Sequence, residues 1–494
     1  MLNDLLDLLI RSGDYQRLRG LLDSNQLVPA LGLPRSVRWY LLAGLYHEQP
    51  RSLLLVTDRT DRCLKIIDEL HTWLPEAAVH YFPKPTPSFY EQASWGATVR
   101  RDRLQTLTHL AGYHIPSMRN QAPSIIVAPV RAVMTRTLPR RDFIRSSKLI
   151  QAGSALAPES LQKNWVDIGY QPADIVVSMG EFSRRGGILD VWTPGSAYPT
   201  RLDYFGDEVE TIRSFDPATQ RTTAKLENIF VSPAREVLPG KALGLNGPEQ
   251  ELDEFFIPLV HPARASLIDY LPSNTLVMLD DDANLRTMAD EIEVQSIKIR
   301  DENIQEGILA EDFPVPYLSW SEIKDALSVH KQIDLGFSTD PESETLDFDY
   351  NPGPRFGGRL KQFKDYLADL SQNGERTFIV TRQVSRVREL FEEGLDPSVV
   401  EEAPVFMEGT LSEGWIHRGE GERSVHLLTD SEIFGWDRPE PRSHRKHTVE
   451  TPESLYADLK PGDWVVHIDF GIGRYAGLVQ RTIENNEREF LMVE

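Results

Sequence analysis

Apolar residues recur at helical spacing from the first residue onward, which predicts helix over residues 1 to about 30, a break at Leu33-Pro34 and a second helix through Trp39 to Tyr46. Ser52 to Asp58 is a short continuous apolar run ending in aspartate, the pattern of a strand buried on both faces. A helix over about 59–74 follows, then strand pieces at Val79 to Phe82 and Ser124 to Ala128, and helical spacing again from Pro129 to Met134. Buried strands alternating with helices predict an α/β domain on a parallel sheet.

From 135 onward the texture changes to alternating strands and Gly/Pro turns, with one helix near Pro158 to Ile168, and predicts a small α+β domain. The first texture then resumes, with a helix at Ala263 to Tyr270 and a buried strand at Asn274 to Asp280. One parallel domain split by an insertion accounts for this order, with parts 1–134 and 237–335 around an inserted domain 135–236. Residues 336–358, rich in Pro and Gly, read as a linker. A second small α/β domain spans 359–438, with a helix at Phe363 to Leu370 and strands at Thr377 to Thr381 and Val425 to Thr429. A Pro/Arg/His linker, 439–457, leads to 458–494, where valines beside aromatics and punctuating glycines predict a strongly bent β-barrel. Its final strand pattern stops at Glu494, so the chain is expected to be part of a longer protein.

Composition narrows the function classes. With 494 residues, 40% hydrophobic and 26% charged, each domain can bury its own core. A net charge of -22 argues against the chain wrapping a nucleic acid by itself. The basic patches Arg100-Arg101-Asp102-Arg103 and Arg442 to His447 lack interleaved aromatics and read as a solvated helix face and a linker. The single cysteine, Cys63, excludes an intrachain disulfide and fits a reducing, cytoplasmic setting. The first helix carries Asp4 and Asp7 without a basic leader, and no run is long enough to span a membrane, so no membrane partner is expected.

Candidate chemistry concentrates in Gly180-Glu-Phe-Ser-Arg-Arg-Gly-Gly-Ile-Leu-Asp-Val-Trp-Thr-Pro194. Ile188 to Trp192 and the run around Leu202 and Tyr204 predict two strands of a hairpin-like unit, and Gly186-Gly187 suits a bulge or a close backbone approach. Arg184 and Arg185 stand at the strand entrance, either as a solvated edge or as guanidiniums for a partner's carboxylates. No phosphate-binding loop is legible. Ala43 to Glu48 lacks the second glycine and the lysine, and Gly240-Lys241 is followed by Ala242. Asp280-Asp281-Asp282 has the shape of a magnesium-binding strand end but no phosphate cradle to serve. With no zinc spacing and no recognisable nucleophile signature, the residues alone describe a multidomain binding scaffold with no catalytic, cofactor or metal residues assigned.

That stretch, together with Gly169-Tyr170, Leu267 to Pro272, Leu428 to Gly435 and Leu459 through Gly477, resembles the family of UvrB and the transcription-repair coupling factors (Mfd). The Thr429 to Gly435 block and the Gly-Asp-Trp-Val-Val-His barrel favour the coupling factors, as do the lost phosphate loop and the short spacer between Tyr81 and Tyr90. The resemblance implies a UvrB-like half that docks UvrA through Arg184, Arg185 and Phe182. It also implies a CarD-like, Tudor-like barrel, truncated here, that holds the RNA polymerase β subunit beside Phe490, Leu491 and Met492. ATP, Mg and most DNA contacts would belong to helicase-type motor lobes outside this chain. Gln171-Pro172 departs from the family, which often has a basic residue there. The implied role is recruitment of UvrA to stalled polymerase in transcription-coupled nucleotide excision repair; the alternatives are a UvrB-like subunit with an unorthodox nucleotide site, or a CarD-type polymerase regulator.

Overall fold

Leu53–Thr57, buried at every position, is the central strand of a five-stranded parallel sheet in the computed structural model. The structure describes residues 2–24, 26–118, 121–242, 252–337, 346, 348–392, 402–418, 423–435, 464–467, 471–483 and 486–493. Across the sheet the order is Lys331–Asp334, Leu276–Leu279, Leu53–Thr57, Ser124–Pro129, Ala78–Tyr81. The strand at 276–279 therefore joins the same sheet as Leu53–Thr57 after an intervening segment that forms a separate six-stranded sheet. Lys331–Asp334 was not foreseen as a strand; only Ile333 of its four residues is buried, so it lacks a continuous apolar run.

Several helices differ from expectation for local reasons. The helix expected over 1–30 is two helices, Leu2–Arg11 and Gly13–Asp23, because the Ser12 hydroxyl donates to the Leu9 carbonyl and accepts the Tyr15 N–H, ending one helix and capping the next. Ala263 to Tyr270 is not an α-helix: only Leu267–Tyr270 forms a 3-10 turn, capped by Ser266 and enclosed by Pro262 and Pro272. Helices Ala97–Gly112 and Asp282–Gln305 were not predicted. The first buries Arg103, Thr106 and Thr108 among its leucines, which blurs the apolar period. Arg103, read from sequence as part of a solvated patch, is fully buried, with its guanidinium 4.1 Å from the Phe82 ring and 4.7 Å from the Trp95 ring.

The inserted domain carries a six-stranded sheet in the order Thr222–Leu226, Glu208–Phe215, Thr200–Phe205, Ile188–Val191, Glu181–Arg185, Gln171–Pro172. All neighbours are antiparallel except the last pair. Helix Pro158–Asp167 packs on one face, and a separate pair, Lys148–Gln151 with Asn228–Val231, closes the domain near its chain entry and exit.

A second sheet unit has the order Tyr350–Asn351, Trp415–His417, Val425–Thr429, Arg376–Thr381, Val405–Glu408, mixed in direction. It packs on the first unit through Tyr40, Trp73, Tyr350 and Trp415, with Tyr40 4.9 Å from Trp415 and Trp415 edge-on to Tyr350 at 5.0 Å. The expected linker 336–358 is thus corrected in part: Phe348 and Tyr350 are buried in the shared core. Thr429 and Glu432 form a capping box, Glu432 also accepts the Gly414 N–H, and Gly435 ends the helix Asp430–Phe434 at φ 69°. The expected linker at 439–457 lies outside the described residues. Three antiparallel strands, Trp464–His467, Gly471–Ile483 and Asn486–Val493, follow in that order. Among the described residues no helix is long and apolar enough to cross a membrane.

Candidate functional site

The arginine-bearing strand is built by a two-residue reversal. Glu181–Arg185 pairs antiparallel with Ile188–Val191, Arg184 opposite Leu189 and Arg185 opposite Ile188. Gly186 adopts φ 60°, a conformation open to glycine. A Cβ on Gly187 would stand 3.2 Å from the Tyr204 carbonyl oxygen, and Tyr204 N–H donates back to the Gly187 carbonyl at 2.8 Å. The glycine pair is therefore a tight turn with a close backbone approach rather than a bulge.

Successive strand residues face opposite sides, and this separates the two arginines. Phe182 and Arg184 share the side covered by helix Pro158–Asp167. Phe182 is 4% exposed and edge-on to Trp165 at 5.7 Å, so this predicted docking residue anchors the strand from beneath. Arg184 donates to Glu159 at 2.6 Å and Gln162 at 3.3 Å, both on that helix. The Glu159 carboxyl is held below its ordinary range by its own backbone N–H and by Arg184. Arg185 lies on the open side, exposed and without an ion pair among the described residues.

The open side is a charged ladder with one exposed aromatic. Arg201 grips Asp190 at two points, both 2.8 Å, and stacks 4.5 Å over Phe215. Arg213 does the same to Asp203 at 3.0 and 2.8 Å. Phe205, two residues beyond Asp203 and so on the same side, is 81% exposed. It escaped the sequence reading, although Leu202 and Tyr204 pointing inward would have placed Phe205 outward by alternation. Gln171–Pro172 forms the exposed edge strand beside Glu181 and Phe182.

At the carboxyl ends of the parallel strands, Asp280 is fully buried and bridges two arginines, accepting from Arg38 through one oxygen and from Arg62 at 3.0 Å through the other. Arg62 also stands 3.0 Å from Asp58. Gly44, at the segment compared with a phosphate loop, lies inside helix Arg35–Glu48 against Leu9. The turn after Leu53–Thr57 is Asp58-Arg59, leading directly into helix Thr60–Trp73.

The C-terminal candidates occupy one strand: Phe490, Leu491 and Met492 pair with Val479, Leu478 and Gly477. Asn486–Val493 is an edge of the three-stranded sheet, with no second strand beside it among the described residues. Met492 is 42% exposed, and on the opposite edge Trp464 lies exposed with the Arg474 guanidinium 5.0 Å from its ring.

Residues 149–237 match the UvrB interaction domain family, and residues 459–494 match the CarD-like/TRCF RID domain family. The transcription-repair-coupling factor of Bacillus subtilis is 26% identical over 94% of this chain and 43% of its own length. Those of Myxococcus xanthus and Haemophilus influenzae are also 26% identical, over 96% and 90% of this chain and 44% and 42% of their own lengths. The chain thus spans less than half the length of these curated relatives, and over nearly all of its own length it is similar to the transcription-repair-coupling factors.

Proposed function

We propose that this chain is a docking scaffold in transcription-coupled nucleotide excision repair, acting in the cytoplasm, that recruits UvrA to RNA polymerase stalled at DNA damage. The observation carrying the reading is Arg185, a guanidinium without an ion pair among the described residues, which shares the open face of the sheet matched to the UvrB interaction domain with the exposed Phe205 two strands away. An arginine and an aromatic on one rigid surface are the residue types that dominate protein interfaces. Arg184 is committed to Glu159 and serves mainly to hold the helix against the strand. The polymerase contact is assigned to the edge of Asn486–Val493, where added backbone pairing supplies affinity and alternate side chains supply specificity. ATP hydrolysis and DNA tracking belong, in this reading, to motor lobes outside the chain. Binding of purified UvrA to the chain and to Arg185→Ala, by biolayer interferometry with folding checked by circular dichroism, tests it; unchanged affinity in Arg185→Ala/Phe205→Ala refutes the assignment of this face.

A further inference from the structure

A crevice of about 480 Å³ opens at the carboxyl ends of the neighbouring strands Leu53–Thr57 and Ser124–Pro129. From the first the chain crosses to Ala78–Tyr81 on one side, and from the second it eventually returns to Leu276–Leu279 on the other, so the crevice lies at the switch point where open α/β sheets bind ligands. Its volume is in the range of small-molecule sites.

One wall is cationic. Arg59 and Lys84 are exposed and without ion pairs among the described residues. Arg131 is half-buried, donates to the Pro87 carbonyl and lies 5.2 Å from the Phe89 ring centroid. Partial desolvation of its otherwise exposed side chain, and then the neighbouring Arg131, push the Lys84 ammonium below its ordinary value, and burial does the same to Arg131, with Glu91 opposing. Of the nearby acids, Asp58 is paired with Arg62 and the Asn284 amide at 3.1 Å, whereas Glu91, which accepts the Ser88 N–H at 2.7 Å, and exposed Asp61 offset only part of the charge of the three cations Arg59, Lys84 and Arg131. The apolar part of the lining comes from Ile292 and Ile299 of helix Asp282–Gln305, with Phe89 beside Arg131. Two adjacent cations suit a dianion better than a single carboxylate, and an apolar wall suits a body attached to it.

We propose that this crevice binds a small phosphate monoester with an apolar or aromatic body, its phosphate held by Lys84 and Arg131 with Arg59 at the mouth. The sequence offers no glycine-rich loop for a nucleoside triphosphate here, and Asp280, outside the crevice lining, has both oxygens taken by arginines. The proposal is independent of the docking faces. Calorimetric titration of the 494-residue chain with phenyl phosphate should give saturable one-to-one binding, and inorganic phosphate should bind more weakly because it leaves the apolar wall unfilled. Lys84→Gln and Arg59→Gln, both at exposed positions, should together weaken phenyl phosphate binding by about tenfold or more with an unchanged melting temperature. Absence of saturable binding up to about 20 mM, equal affinity for inorganic and phenyl phosphate, or an unaltered dissociation constant in the double variant would each overturn it.

Discussion

Arg103 and Glu236 meet in a two-point pair with no solvent exposure to speak of, Nε to Oε1 at 2.6 Å and the terminal guanidinium nitrogen to Oε2 at 2.9 Å, across 133 residues of sequence. The arginine belongs to helix Ala97–Gly112 of the split sheet unit and the glutamate to the segment where the chain leaves the inserted domain. The pair therefore ties helix Ala97–Gly112 to the segment that follows strand Asn228–Val231.

Removing one partner strands the other charge in the core. Arg103→Met is expected to destabilise the chain by about 3–5 kcal/mol, and Arg103→Met/Glu236→Met by less than the sum of the two single changes. Urea unfolding of the four proteins of this cycle measures the coupling; strict additivity would mean that the pair contributes no specific interaction.

Two histidines, one half-buried and one buried, set an acid limit. Burial and the neighbouring His109 push His80 down to about 4, and burial, with Lys241, pushes His261 down to about 4. The Nε2 atom of His261 accepts the Leu238 N–H at 3.3 Å, which requires the neutral ring. Each folded-state value lies below the unfolded one near 6.5, so the unfolded chain binds more protons between the two. This contribution to stability is complete above about pH 6.5 and is lost as pH falls toward 4. His261→Gln, whose amide oxygen can accept the same N–H, should flatten the melting temperature over that window; an unchanged slope would remove His261 from the account.

The Asp280 hub should behave as structure rather than as a magnesium ligand. Asp280→Ala is expected to lower stability by about 3–5 kcal/mol, because Arg38 loses its buried carboxylate. Neither the parent chain nor this variant should show saturable ATP binding by calorimetry. ATP binding that disappears in Asp280→Ala would reverse this interpretation.

On the proposed docking face, Arg185→Ala and Phe205→Ala should each weaken UvrA binding by about tenfold or more, the scale of an interface anchor. Arg184→Ala should have a smaller effect on binding, since Glu159 already occupies its guanidinium. A ranking with Arg184 first would move the contact to the helix-covered side.

For polymerase, Leu491→Arg is expected to weaken β-subunit capture, because Leu491 lies in the edge strand Asn486–Val493. Pull-down with the purified β subunit reads this directly; full retention would place the contact away from this edge.

Much of the architecture was already legible in local pattern. The run Leu53–Thr57 announces a strand buried on both faces, and the Thr429 and Glu432 spacing announces a capped helix, because both signals depend on residues within one turn or one strand. Alternation along 181–185 and 200–205 likewise contains the sidedness of Arg184, Arg185 and Phe205. Only the tertiary structure decided which side the helix Pro158–Asp167 covers, and hence that Phe182 and Arg184 are engaged while Arg185 has no ion pair among the described residues. It alone placed Arg103 in the core and gave Asp280 its partners Arg38 and Arg62, 242 and 218 residues away. A charge can be buried only where an opposite charge or other suitable partner meets it, and that meeting is a property of the folded chain that no local spacing encodes.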